Sequence, residues 1–292
     1  MKCDICIKPA KPHSISCDRC YKRVNVTKFY RLARRTGLRT HYDRSIDRFR
    51  CHFTNVAMVD DDASSPYYVV CSQQIPGSHD VLLPNCAFTA VMKSDLSDTE
   101  LLAVVPHLDD HLRTGKPFIK DIIPFKYWRR KARPAIPDKF FAGTPTAASS
   151  KSCAICIRAP FRNSPYCPRC RKIIQPKDNR QAVVATLKEH YDPEADGFRC
   201  AYTGILLEDG DIFSPWYIVM DHLVPGQEML VPAAFWVNDM KGCMTHAGFK
   251  KALAEFANHI LTGEPFDTGV ITKEDWKRAL RYMRRDEIKS IE

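Results

Sequence analysis

The chain repeats itself. Cys3-Asp-Ile-Cys6 returns as Cys153-Ala-Ile-Cys156, Cys17-Asp-Arg-Cys20 as Cys167-Pro-Arg-Cys170, and Leu38-Arg-Thr-His41-Tyr42-Asp43 as Leu187-Lys-Glu-His190-Tyr191-Asp192. Further along, Phe49-Arg-Cys51 matches Phe198-Arg-Cys200, Thr114-Gly115-Lys-Pro117-Phe118 matches Thr262-Gly263-Glu-Pro265-Phe266, and Trp128 matches Trp276. The offset is 149 or 150 residues, falling to 148 toward the end. A period this long is too great for a solenoid and implies tandem duplication of a whole module of ordinary domain size. The stretch 132–150 is rich in Pro, Ala, Ser and Thr without an apolar period, so it reads as a linker. Two modules, 1–150 and 151–292, follow.

Cysteine spacing sets the next constraint. Eight of the 13 cysteines form four Cys-x-x-Cys pairs, and ten residues separate the two pairs within each copy. Such spacing brings four thiolates onto one metal, predicting a structural Zn²⁺ site at Cys3, Cys6, Cys17 and Cys20 and another at Cys153, Cys156, Cys167 and Cys170. Four thiolates close the coordination sphere, so these sites are expected to staple the fold rather than react. A redox dithiol would call for a flanking strand and helix, which the surrounding Pro-, Lys- and Arg-containing loops do not supply. Cys51 and Cys200 are read as small buried apolar residues.

The pattern along each copy is mixed. In the second copy 200–210 reads as a short strand and turn and 216–221 as a second strand, with the two able to pair as a hairpin. A short helix is expected within 231–240. A longer one starts at Thr245 and carries Phe249, Leu253, Phe256, Ile260 and Leu261 at three- and four-residue steps. Its counterpart begins at Ser97-Asp-Thr-Glu100, a capping box, and both end at a Gly followed by Pro. The fold class is α+β: two tandem zinc-stabilised modules, each a zinc knuckle, a helical segment, a hairpin and helices.

Chemistry is concentrated at the end of the 216–221 strand. Asp221-His222, with Pro225-Gly226, Asn238 and Lys241 downstream, sets a hard oxygen ligand beside a potential general base. The first copy has the same stretch in degraded form, Tyr67-Tyr-Val-Val-Cys71-Ser72-Gln73-Gln-Ile-Pro76-Gly77, with Ser-Gln in place of Asp-His and Ala90 in place of Asn238. A lone Asp-His pair is more often structural, and its context decides the reading here.

Strand, Asp-His-x-x-Pro, loop and Asn together resemble the HNH, or His-Me finger (ββα-metal), nuclease family. Asn238-Asp-Met-Lys241 is similar to the Asn-x-x-Lys-Ser-Asp segment of the HNH domain in CRISPR effector nucleases, and the first copy keeps Lys93-Ser94-Asp95 of that segment. The resemblance spans about fifty residues per copy, 200–249 and 51–101. It implies hydrolysis of phosphodiester bonds assisted by one Mg²⁺ or Mn²⁺. Asp221 and Asn238 would hold that metal, His222 would activate water, and Lys241 would touch phosphate. The family's middle ligand has no clear match; His246 is a substitute, with an exposed helix-start histidine as the alternative. His41 and His190 recur in both copies and read as structural.

Charge divides the copies. Residues 1–150 carry 24 Lys and Arg against 15 Asp and Glu, and 151–292 carry 20 against 19, of a total net charge of +10. The excess suits a polyanion, with Arg31, Arg34, Arg35 and Arg39 of one helix and Arg129, Arg130 and Lys131 beside Trp128 as candidate backbone contacts. Expected partners are nucleic acid, DNA before RNA, and no membrane; a homo-oligomer is compatible. Without an apolar run of membrane-spanning length, the chain is expected to be soluble and intracellular, in the cytoplasm or the nucleoid or nucleus. The competing reading is a non-catalytic zinc-containing nucleic-acid-binding protein.

Overall fold

The structure is a computed structural model that describes residues 2–12, 14–24, 30–78, 80–123, 152–161, 164–174 and 180–276. The linker 132–150 and Arg129, Arg130 and Lys131 lie outside these residues. The first copy runs α1 (Asp18–Val24), α2 (Arg31–Thr40), β1 (Tyr42–Asp43), β2 (Arg48–Phe49), β3 (Val69–Gln73), β4 (Leu82–Cys86), α3 (Ala87–Lys93) and α4 (Asp98–Thr114). The second repeats that order as α5 (Pro168–Ile174), α6 (Arg180–Glu189), β5 (Tyr191–Asp192), β6 (Gly197–Phe198), β7 (Ile218–His222), β8 (Leu230–Ala234), α7 (Phe235–Lys241) and α8 (His246–Thr262).

Every sheet among the described residues is a two-stranded antiparallel ribbon. The central one in each copy pairs β3 with β4 and β7 with β8, in a register that sets Asp221 opposite Val231 and His222 opposite Leu230. The partner of the Asp-His strand is therefore 230–234 and not 200–210, and α7 starts only at Phe235. Sequence reading missed β8 because Pro232 argues against a strand. Pro232 is tolerated because its register position faces away from β7, where its carbonyl accepts the Ala201 N–H at 2.8 Å. Pro84 does the same for His52 in the first copy, at 2.9 Å. Residues 199–208 instead form a turn tied by isolated bridges from Arg199 to Leu206 and Glu208 to Tyr217.

Helices cover these ribbons, α2 on β4 and α6 on β8. A Cβ on Gly37 would lie 1.9 Å from the Leu82 carbonyl oxygen, so only glycine lets α2 approach that backbone. The longer helices start as expected. Ser97 and Glu100 exchange hydrogen bonds across the first turn of α4, and the Thr245 hydroxyl accepts the Gly248 N–H at 3.0 Å. Gly263 ends α8 in the left-handed region at φ 74°.

Compaction does not follow the sequence copies. One compact unit comprises 1–109 with 240–292, and the other comprises 110–239. In the first unit Phe266 stacks on Phe88 with ring centroids 5.2 Å apart, Phe256 meets Phe53 edge-on at 6.1 Å, and the Thr268 carbonyl accepts from the Tyr67 hydroxyl at 2.7 Å. In the second, Phe118 stacks on Trp236 at 5.6 Å and meets Trp216 at 6.2 Å, while Lys120 lies over the Trp216 ring and pairs with Glu208 at 3.0 Å. Phe118 and Phe266 are equivalent positions of the repeat, as are Phe88 and Trp236. Each copy's tail thus completes the aromatic core of the unit built on the other copy's ribbon, an exchange that burial of the large rings stabilises. No helix among the described residues is long and apolar enough to cross a membrane.

Candidate metal centres and active site

Two four-cysteine groups are built by the first turns of the modules. In Cys3, Cys6, Cys17 and Cys20, and again in Cys153, Cys156, Cys167 and Cys170, all ligand atoms lie within 4.8 Å of one another and all eight residues are buried. The sulfurs of Cys6 and Cys17 are 3.4 Å apart and those of Cys156 and Cys170 3.6 Å, close to the edge of about 3.8 Å that a tetrahedron with Zn–S bonds of about 2.3 Å requires. Backbone N–H groups of Cys167 and Ile155 point at the Cys153 sulfur, and that of Cys170 at the Cys167 sulfur, at 3.3–3.5 Å. Such donors offset thiolate charge. Both groups could hold structural zinc, and no other convergent group of three His, Cys, Asp or Glu side chains occurs among the described residues.

The second copy's β7, β8 and α7 position the Asp-His pair. Asp221 is 4% exposed, and its carboxylate accepts a short hydrogen bond from the buried Tyr202 hydroxyl. Burial, then the Asp221 charge, pushes the Tyr202 phenol well above its ordinary range, so it remains a donor. His222, the last residue of β7, is half-buried, and its Nδ1 lies 2.6 Å from the Gln227 carbonyl. A carbonyl only accepts, so Nδ1 carries the proton and the neutral ring has its lone pair on Nε2. The left-handed Gly226, at φ 85°, makes the turn that presents this carbonyl.

The other candidates are placed as follows. Asn238 is half-buried in α7, the helix that follows the hairpin. Lys241, at the end of α7, is fully buried, as is its equivalent Lys93 in α3, which donates to the Leu96 carbonyl and pairs with Asp98 at 3.5 Å. A buried lysine recurring in the copy that lacks Asp-His belongs to the packing, and the expected phosphate contact of Lys241 is not available in this conformation. His246 starts α8, where its Nδ1 is buried. The His41 ring bonds the Gly37 carbonyl at 3.0 Å, and burial lowers the His190 pKa, consistent with structural roles. Trp276 is buried.

The basic helix α2 divides its arginines. Arg31 and Arg39 are exposed, whereas Arg35 pairs with Asp4 at 3.1 Å and Arg34 donates to the Arg23 carbonyl. Tyr202 and the Gln227 carbonyl were not singled out from the sequence. One signal was present: Tyr202 stands where the first copy has Phe53, just as Asp221 stands where it has Ser72. No protein-family model, curated protein or solved structure matches the chain.

Proposed function

We propose that the chain is a metal-dependent HNH-type endonuclease hydrolysing phosphodiester bonds in nucleic acid, with one active site in the second copy and a first copy that binds substrate without cutting. The observation that carries this reading is the orientation of His222. The ring sits at the end of β7 with Nδ1 fixed on the Gln227 carbonyl, the tautomer a general base needs at Nε2. Asp221 and Asn238 offer oxygen donors on the same hairpin and helix, and hard oxygen suits Mg²⁺ or Mn²⁺, which keep several waters. Such an ion, when bound, supplies neutralisation of charge on the scissile phosphate and the leaving oxygen. The Tyr202 hydroxyl donates to one Asp221 oxygen and holds the carboxylate in place. His222 takes the proton of the attacking water.

A second reading is a zinc-containing nucleic-acid-binding protein without catalysis, favoured by the burial of Asp221 and Lys241. Purified chain incubated with supercoiled plasmid, single-stranded DNA and RNA in Mg²⁺ or Mn²⁺ separates the two. A single site should turn supercoils into open circles. Binding without cleavage of any substrate would leave the second reading standing.

A further inference from the structure

The two copies differ in one place where the frame around the difference is unchanged. In the first copy Arg23, from α1, donates to the Val69 carbonyl at 2.8 Å and the Asp60 carbonyl at 2.9 Å, with its guanidinium 4.8 Å over the Tyr68 ring. Beside it Arg19 pairs with Asp60 and with Asp47 and lies over Phe49. The second copy keeps that frame: Arg169 pairs with Asp209 and Asp196 and lies over Phe198, and Tyr217 and Ile218 stand for Tyr68 and Val69. It replaces Arg23 by Ile173.

A cavity of about 240 Å³ is found at that place, and its lining includes Arg169, Lys172, Ile173, Asp209, Tyr217 and Ile218. Outside the strand ladder, neither the Ile218 nor the Asp209 carbonyl accepts a hydrogen bond among the described residues. We propose that this cavity is a binding site for a guanidinium cation, received as Arg23 is received in the first copy: N–H groups on the Ile218 and Asp209 carbonyls and the planar face on Tyr217. Arg169 pairs with Asp209 and shares Asp196 with Arg158, and Lys172 also lines the cavity, but the first copy holds the equivalent set, Arg19, Lys8 and Lys22 with Asp60 and Asp47, and still accommodates Arg23. Arg19 and Arg23 already coexist on the same frame in the first copy. A planar cation with several donors fits two carbonyls and a ring face at once; an ammonium does not.

The test uses the full-length protein and ethylguanidinium chloride, followed by amide and methyl NMR shifts at fixed ionic strength. Saturable shifts should centre on Ile173, Tyr217 and Ile218, and binding should be at least about fivefold tighter than that of ethylammonium chloride. Ile173→Arg, which supplies the cation internally, should abolish the shifts with an undiminished melting temperature, and Tyr217→Leu should weaken binding independently. An arginine-containing hexapeptide binding more tightly than ethylguanidinium identifies a protein segment as the source, and equal affinity identifies a small cation; either supports the site. No saturable shift, equal affinity for ethylammonium, or shifts that persist in a folded Ile173→Arg protein would overturn it.

Discussion

The loop after β3 and the loop after β7 are built to the same plan with opposite polarity. In the first copy the Gln73 side chain accepts the Gly77 N–H at 2.7 Å; in the second His222 donates from Nδ1 to the Gln227 carbonyl. One residue earlier, Ser72 is held by Asn85 and Asp221 by Tyr202, and each of those holders is replaced by an apolar residue at the equivalent position of the other copy, Asn85 by Ala233 and Tyr202 by Phe53. Ser72 and Asp221 thus each have a donor of their own, so the first copy is not simply the second with its carboxylate removed. The copies have been refitted, one around a neutral pair and one around a carboxylate and an imidazole. Restoring Ser72→Asp and Gln73→His alone should therefore not create a second site.

The largest expected effect is loss of metal. Structural zinc contributes on the order of 10 kcal/mol to a small module, so chelation should collapse both knuckles together, and elemental analysis should return two zinc per chain. A chelated, metal-free protein with an unchanged melting curve would remove zinc from the account and with it one feature common to the two copies.

The exchanged tails come next. Phe118→Ala removes a ring 4% exposed and should cost about 3–5 kcal/mol. Hydrogen exchange should locate that loss in 191–236, whereas Phe266→Ala should loosen 42–93, in the opposite copy. Loss confined to the mutated residue's own copy would contradict the exchange.

A smaller effect is predicted at the carboxylate. Tyr202→Phe leaves a buried Asp221 without its hydroxyl donor and should cost about 1.5–3 kcal/mol, read by denaturant unfolding. Adding Asp221→Ser should recover part of that, because the pair Phe and Ser is what the first copy contains at these positions. Additive losses would mean that the pair is not coupled.

The smallest effect concerns α2. Arg31→Ala with Arg39→Ala should lower the slope of log affinity against log salt by up to about 2 and leave stability unchanged. Arg34→Ala and Arg35→Ala should do the reverse, since those side chains bond within the protein. Identical behaviour of the two pairs would erase the division between outward and inward arginines.

What could be read from the sequence was local. The cysteine groups, the Ser97 and Glu100 capping box, the helix start at Thr245, which the structure shows as the cap, and the Gly263 stop each need only a few neighbouring residues, and each is present in the structure. Features set by packing were not legible. Pro232 hides β8 from a propensity reading, although its register position makes it harmless. Lys241 and Lys93 look like surface cations and are buried, and Arg34 and Arg35 look like substrate contacts but bond to their own chain. The exchange of tails is invisible because Phe118 and Phe266 carry the same local signal whichever copy they cover. Of the candidate site, Asp221, His222 and Asn238 were marked by their difference from Ser72, Gln73 and Ala90. Their holders, Tyr202 and the Gln227 carbonyl, needed the fold.

The central claim is that the second loop cuts and the first does not. It is tested most directly by comparing His222→Ala with Gln73→Ala in a plasmid-nicking assay with Mn²⁺, alongside binding of the same plasmid. Loss of general-base assistance should slow nicking by His222→Ala by about two to four powers of ten with affinity unchanged. Gln73→Ala should nick at the wild-type rate. Undiminished nicking by His222→Ala would contradict the account.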